Sequence, residues 1–476
     1  MITAVSRVIS VGPIPPEKLA YALARYSRSP DSIRESVEWV RSHNSSKFLE
    51  SFYFQYGHAS IADLGHLALC FEGASEVAAI EIEDEQLWDG QARSSRYQDF
   101  SKSGFVTPPE LDGAQAAVYR ATGEKLLAAY REIHGRAFQH LCAQLPKPEG
   151  MKADAYQRNL TARAFDVARY LLFLGIPTGV GQVTSIRTLE KQIRRLKASR
   201  YAEVRELGAE AAAACASQPE CVWGSEAQEP VAPTLAKYVD PDGYPRKAAE
   251  ELSEWARQNL PAATDRTAEP VELTKCLEPL PQIAATLLYS ATDWPFQDLH
   301  EMTAGWSRAR QAEILDVALK SRSRRDDLLR EFRGGPYAFD MLIDIGAYRD
   351  MHRHRRCHQT RQAFTWRHGF STPQMIIDAG LTGMYEAALT GARAAAAGLP
   401  ELAGHYLLPF AMRGRFLFQM DFAEAEYISK LRSGVKGHFS YRDVAWRMKT
   451  EMDRVDPELG RLIEATPPWI EDPLVR

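Results

Sequence analysis

YRDMHRHRRCHQTRQAFTWRHGFS, Tyr348 to Ser371, carries six arginines (Arg349, Arg353, Arg355, Arg356, Arg361, Arg367) and four histidines (His352, His354, His358, His368) against one acid, Asp350. The 476-residue chain around it is mildly acidic, with a formal net charge of −4. A cationic island in such a chain costs self-repulsion, so its composition points to an anion as partner. Arginine suits that task because its planar fork grips a phosphate or carboxylate through two parallel hydrogen bonds. On charge alone the island also reads as a solvated basic face or an RNA-binding patch. His354 and His358 stand four apart with Cys357 beside them. The neighbouring arginines would repel a dication and no carboxylate completes the set, so no metal is expected.

Outward from the island, composition sets the frame. Hydrophobic content of 45% and charged content of 25% are ordinary for a globular protein, and the length predicts two or three domains. The six cysteines (Cys70, Cys142, Cys215, Cys221, Cys276, Cys357) form no C-x-x-C pair, which argues against a zinc knuckle or a redox dithiol. The opening MITAVSRVISVGPIPPEKL has no basic region leading into a long apolar core, so no signal peptide is expected. No apolar run reaches the length of a membrane span. A cytoplasmic protein with reduced thiols, without a membrane partner, is the expectation. Neither G-x-x-x-x-G-K nor a G-x-G-x-x-G after a strand is present, which gives no support to ATP hydrolysis or a Rossmann site.

The organisation is helix-rich. Ser29-Pro30-Asp31 reads as a helix start, followed by Ile33, Val37 and Val40 on one face. Gly57 to Ile82 holds short apolar runs broken by Gly73, with room for strand and helix pieces. The spacing of Tyr119, Leu126, Tyr130, Ile133, Ala137 and Leu141 predicts a long amphipathic helix over 116–145. Further helix follows within 160–210. Residues 223–246, with four prolines and a DPDG turn signal, read as a linker. Helical patterning resumes near Ala248 and again from Ile283. LAYALARYS (19–27) is similar to IAATLLYS (283–290), and ARYLLFLGIP (168–177) to GHYLLPFAMR (404–413). Two related halves are therefore expected, 1–222 and 247–476, joined by 223–246.

Arg353-His354-Arg355 resembles the RHR motif of the flavin-dependent thymidylate synthases, the ThyX family, in which a serine of S-x-R-Y follows seven residues later. The approach YAFDMLIDIGAYRDMHRHR resembles that family's strand-then-helix lead, including Arg349 four residues ahead. HYLLPFA (405–411) resembles its LPL segment, and DFAEAEYISKLR its helix ending at a nucleotide-binding arginine, here Arg432. GHFSYRDVA from Gly437 resembles its H-A-Q-W-E-I-R stretch. The first half is similar from the other side. YGHASIADLGHLALCFEGASE (56–76) resembles the G-H-x-S-x-x-E-H opening through His58 and Ser60, with Asp63 where the family has Glu. ARSSRYQDF (92–100) resembles S-x-R-Y through Ser94, Arg96 and Tyr97, and RYAEVREL from Arg200 is a second version of the last stretch.

The resemblance implies an α+β protein of two tandem ThyX-like domains, each a small β-sheet flanked by helices. It implies a reaction that methylates C5 of dUMP, or a related pyrimidine nucleotide, using FAD, methylenetetrahydrofolate and NADPH. The departures divide the motif. The first half has Asp84, Glu85 and Gln86 where RHR belongs; the second has Ala363, Thr365 and Trp366 where Ser, Arg and Tyr belong. Arg353, His354, Arg355 and Arg349 are thus expected to hold FAD, and Ser94, Arg96 and Arg432 the nucleotide, provided the two halves meet. No catalytic residue is assigned; Ser94 would hydrogen-bond substrate, not act as a nucleophile. Two chains of two halves would rebuild the family's tetramer, so a homodimer forming a pseudo-tetramer is expected, with nucleic acid not expected as a partner. The alternatives left open are a catalytically altered flavin- or nucleotide-binding scaffold and an RNA-binding protein using the arginine island.

Overall fold

The long helix runs from Gly113 to Gln144. Asp112 caps it: its side chain accepts from the Gln115 amide, and the Gln115 side chain accepts in return from the Asp112 amide, satisfying donors the first turn leaves open. Tyr119, Leu126, Tyr130, Ile133, Ala137 and Leu141 are all buried. The Tyr119 hydroxyl donates to the Val106 carbonyl at 2.7 Å. Its approach demands glycine at Gly175, where a Cβ would lie 2.2 Å from the hydroxyl oxygen.

The computed structural model describes residues 9, 11, 13–29, 32–50, 59–96, 98–221, 229–261, 269–323, 326, 328–472 and 474. Among them are two sheets and a majority of helix, an α+β architecture. No helix among the described residues is long and apolar enough to cross a membrane. The predicted start residues Pro30 and Asp31, together with His58 and Tyr97, lie outside the described residues. The helix Ile33–Arg41 is capped instead by Ser32, with Glu35 accepting from the Ser32 amide at 2.8 Å.

Two compact units emerge, and they do not follow the boundaries 1–222, 223–246 and 247–476. One comprises 1–72, 81–92 and 179–242; the other comprises 73–80, 93–178 and 243–476. Most residues of three strands fall in the first, in the order β1 (His66–Ser75), β3 (Pro177–Ser185), β2 (Asp89–Ala92). Helices Ile186–Lys197 and Ala202–Ala216 follow β3. The described part of the proline-rich stretch is not a free tether. Glu17 is buried in the helix Pro16–Tyr26 and accepts from the Thr234 amide at 2.7 Å, the Thr234 hydroxyl at 2.6 Å and the Leu235 amide at 3.2 Å. Ala232, Leu235 and Val239 are buried around that bond set.

In the second unit four strands run antiparallel in the order β4 (Val271–Lys275), β5 (Tyr337–Asp344), β7 (Arg413–Met420), β6 (His358–Arg361). The central strands β5 and β7 are buried along nearly their whole length, because helices cover both faces. Helix Pro279–Ala291 packs Ala284, Leu287 and Leu288 with Ala338 and Leu417, and helix Phe439–Val455 lies against β4 and β5.

The two sheets share one register. Shifting the β6 residues His358 and Arg361 back by 269 positions, and their β7 partners Gln419 and Phe416 back by 236, gives Asp89, Ala92, Val183 and Val180; these are the pairs of β2 with β3. The helix after each first strand is seated the same way. The Ile345 and Gly346 amides donate to the Met412 and Phe410 carbonyls, and the Glu76 and Val77 amides to the Ile176 and Leu174 carbonyls. Those are the same two shifts. The similar segments 168–177 and 404–413 also bond to each other. Leu174 and Gly175 donate to the Leu408 and Tyr406 carbonyls, and Phe410 and Ala411 to those of Leu172 and Tyr170. This seam gathers 93–178 into the same unit as 243–476.

Candidate functional site

Asp344 ends β5 and starts the helix Ile345–Met351: its Oδ1 accepts from the Ala347 amide at 2.7 Å. Its Oδ2 takes the Tyr170 hydroxyl at 3.2 Å and the Ser440 hydroxyl. Burial pushes this carboxyl above the usual range even so. The short helix delivers Arg349 and Asp350, and the chain then turns through Arg353, His354 and Arg355 into β6. The arginine island does not form one basic face: His352, His354 and Cys357 are buried. Arg361 stacks on Phe364 at 4.5 Å and Arg367 pairs with Asp293 at 2.6 Å.

Arg349 reaches the 93–96 turn. It donates to the Ser95 hydroxyl at 3.2 Å, pairs with the buried Glu76 at 2.7 Å, and lies 4.6 Å from the Phe410 ring centre. The predicted Ser94 is half-buried, and its hydroxyl accepts from the Arg96 amide at 3.3 Å, a turn contact. Arg96 is buried. Its Nε and Nη2 donate to the two oxygens of Asp166 at 2.8 and 3.3 Å, Nη1 donates to the Tyr441 hydroxyl at 3.0 Å, and Nη2 also donates to the Lys436 carbonyl at 3.4 Å. Burial opposes its charge, but Asp166, Tyr441 and Asp350 together outweigh that and hold the proton more tightly than usual.

His354 is buried and its Nε2 accepts from Arg432 Nε at 2.7 Å. An arginine nitrogen can only donate, so this ring is neutral and carries its proton on Nδ1, which faces Glu424 at 3.7 Å. Burial, with Arg432 and Arg355 nearby, lowers its pKa against the pull of Glu424. Arg432 also lies 5.4 Å from the centre of the Tyr441 ring. His438, fully buried, accepts the Ser440 amide at Nδ1 and donates from Nε2 to the Asp166 carbonyl at 3.0 Å. Burial, with Arg169 and Arg96 beside it, depresses its pKa strongly.

Asp350 is the shared acid. It accepts from the buried Arg169 at 3.2 Å. Burial would raise its pKa, but Arg169, Arg353 and Arg432 overcome that and hold it below the usual carboxylate value. Thus Arg96 from the first half shares one polar cluster with Arg349, Arg353, His354 and Arg432 from the second, whereas the contact of Ser94 is with the Arg96 amide of its own turn. Arg96 and Arg349 are committed to Asp166 and Glu76. Among the described residues, the Arg353 side chain and the two terminal nitrogens of Arg432 make no hydrogen bond, and both arginines lie near the Asp350 carboxylate.

Six members of the cluster were not expected from the sequence: Glu76, Asp166, Arg169, Glu424, His438 and Tyr441. His438 and Tyr441 lie within the quoted GHFSYRDVA, and Glu76 closes the quoted 56–76 stretch. Asp166 and Arg169 come from the end of the helix Ala153–Ala168 and the turn after it; Arg169 falls in the quoted repeat 168–177, and no quoted stretch contains Asp166.

Comparison with known proteins gives two matched segments. The "thymidylate synthase complementing protein" family matches residues 11–218 and again 279–458. A UPF0159 protein of Chlamydia muridarum is 27% identical over 423 residues, covering 84% of this chain and 77% of that protein. One from Thermoplasma acidophilum is 25% identical over 490 residues, covering 93% and 94%. Among solved structures, Thymidylate Synthase X (ThyX) from Helicobacter pylori with FAD and dUMP is similar over 40% of this chain and 86% of its own, with 14% identity and a TM-score of 0.27. At that score the structural likeness carries no argument. With both of its halves matched, the chain belongs to the thymidylate synthase complementing protein family.

Proposed function

We propose that the chain is a tandem flavin-dependent thymidylate synthase-type enzyme, in which one working site is assembled from two diverged copies. In this reading Arg353, His354, Arg355 and Arg349 serve FAD, and Ser94, Arg96 and Arg432 serve a pyrimidine nucleotide. The reaction methylates C5 of dUMP, or of a related pyrimidine nucleotide, with methylenetetrahydrofolate and NADPH, in the cytoplasm. A homodimer carrying four half-sites is the proposed assembly. The observation that carries the reading is the meeting of three separate segments around Asp350, with the Arg353 side chain and the terminal nitrogens of Arg432 making no hydrogen bond among the described residues.

The chemistry of that cluster fits an anionic, electron-rich ligand. Bound FAD would supply hydride chemistry, and cations beside its pyrimidine ring favour the anionic reduced form. Arg353 supplies such a cation. His354, neutral and buried, supplies none; it orients Arg432 through Nε2. Arg349 is held by Glu76 and Ser95 and so serves as the rigid wall of the site. Bidentate pairing of Arg96 with Asp166 fixes the 93–96 turn and leaves Arg432 as the stronger grip on a phosphate.

The test is direct. The purified protein is expected to be yellow or to become so with FAD, and Arg353→Ala to lose the flavin absorbance without unfolding. Rescue of a thymidine-requiring cell would establish the dTMP reaction. Protein that cannot be reconstituted with FAD would end the enzyme reading. A flavin-loaded form inert toward dUMP would favour an altered substrate or a scaffold, the reading that the commitment of Arg96 to Asp166 supports.

A further inference from the structure

We propose that Tyr441 is a positioning residue that presets Arg432 as an anion-binding fork, and that Arg96 acts through Tyr441 instead of gripping the anion itself. This rests on the reading above that the site takes a nucleotide phosphate. It changes which arginine does so.

Three observations combine. First, Arg96 is spent. Both edges of its guanidinium are engaged, with Asp166 taking Nε and Nη2 and the Tyr441 hydroxyl taking Nη1. Asp166 is 1% exposed. Turning Arg96 toward a ligand would strand that buried carboxylate, a cost larger than one surface ion pair returns.

Second, Tyr441 is tethered at its far end and used on its face. Its hydroxyl accepts from Arg96 at 3.0 Å, and its ring centre lies 5.4 Å from the Arg432 guanidinium carbon. An aromatic face within about 6 Å attracts a guanidinium and limits the directions it can take. The ring is 6% exposed, so it has little room to swing.

Third, Arg432 is held at one edge only. His354 Nε2 takes Nε–H at 2.7 Å. What remains is the terminal pair of nitrogens, the fork that matches two oxygens of a phosphate. With edge and face both fixed, binding an anion orders little that was not ordered already, and such preorganisation raises affinity. The chain of contacts runs Asp166, Arg96, Tyr441, Arg432, His354, Glu424.

The experiment uses the full chain and two probes that differ only in the phosphate, dUMP and deoxyuridine, titrated calorimetrically. Tyr441→Leu, which removes ring and hydroxyl, is expected to weaken dUMP about tenfold and leave deoxyuridine unchanged, the size expected for losing one partly buried cation–aromatic contact. Tyr441→Phe keeps the ring and is expected to lose only about threefold or less. Equal loss for both probes would mean a merely structural residue and would overturn the proposal, as would no loss for either. Inorganic pyrophosphate separates the two readings. If the wild type binds pyrophosphate but not dUMP, the nucleotide reading fails, and loss of pyrophosphate on Tyr441→Leu sustains this one. A wild type that binds neither overturns both. Thermal unfolding of each variant checks that the fold survives.

Discussion

At the scale of single residues, His354 shows how a residue expected to face a ligand can be turned inward. Its neighbours in the motif, Arg353 and Arg355, are half-buried, whereas the imidazole is buried against Glu424 and Arg432. The motif letters mark a position in the chain, and the fold sets the direction in which its ring points. The acids were illegible for a related reason. Asp166 and Glu76 answer arginines, and Glu424 a histidine, far away in sequence, and a lone acid in a helix carries no sign of its partner. Removing one should be costly: Asp166→Ala is expected to destabilise by about 3–5 kcal/mol, because Arg96 is left charged and buried. The double change Asp166→Leu with Arg96→Met should cost much less. Denaturant unfolding of both variants measures the difference. Arg353→Ala, by contrast, should cost about 1 kcal/mol or less, since among the described residues its side chain makes no hydrogen bond and only its charge near Asp350 is lost.

Among elements, the helix Gly113–Gln144 was readable because its buried residues are apolar and recur at helical spacing. Strand β3 was not, for the opposite reason. Its buried alternate positions are Thr178, Val180, Gln182 and Thr184, while Val183 is 49% exposed. Alternation exists in the fold, but hydropathy does not follow it. Gln182 is buried because it serves Trp88 at 2.5 Å and Gln192 at 2.8 Å. Strands β2 and β6, four residues each, are too short to show any period. The Asp344 cap was likewise hidden inside an apolar run. Asp344→Ala should lower stability by about 2 kcal/mol, combining a lost cap with two hydroxyls, Tyr170 and Ser440, left without their acceptor. Thermal melting reads that loss.

For the whole molecule, the shared register lets the two copies be compared position by position. Glu85 stands where His354 stands in the other copy, and it accepts from Arg195 at 2.9 Å. Leu196, fully buried, stands where Arg432 stands. With Asp84, Glu85 and Gln86 where Arg353, His354 and Arg355 stand, that copy lacks the flavin-side cations as well as the fork, so one flavin per chain is expected, not two, as flavin absorbance against protein concentration would show. Acid should weaken the fold. Burial lowers the pKa of His134, His300, His354, His358, His368 and His438. The unfolded chain therefore binds more protons than the folded one once the pH drops below about 6.5, the ordinary histidine value. Stability is full above that value and is lost as pH falls through the lowered ones. Glu17 and Asp344, raised by burial, act in the opposite sense, as two groups against six. Melting temperatures between pH 8 and 5 should fall.

The hydrogen-bonded seam between 170–176 and 406–411 has one more consequence. Both edges belong to a single polypeptide, so they meet at an effective concentration on the order of millimolar however dilute the solution. Hydrogen exchange at the Leu174, Gly175, Phe410 and Ala411 amides should be the same at nanomolar and micromolar protein. A pairing that dilution cannot undo makes the partnership of the two copies permanent, and under that permanence one copy could surrender its charges without the other losing its companion.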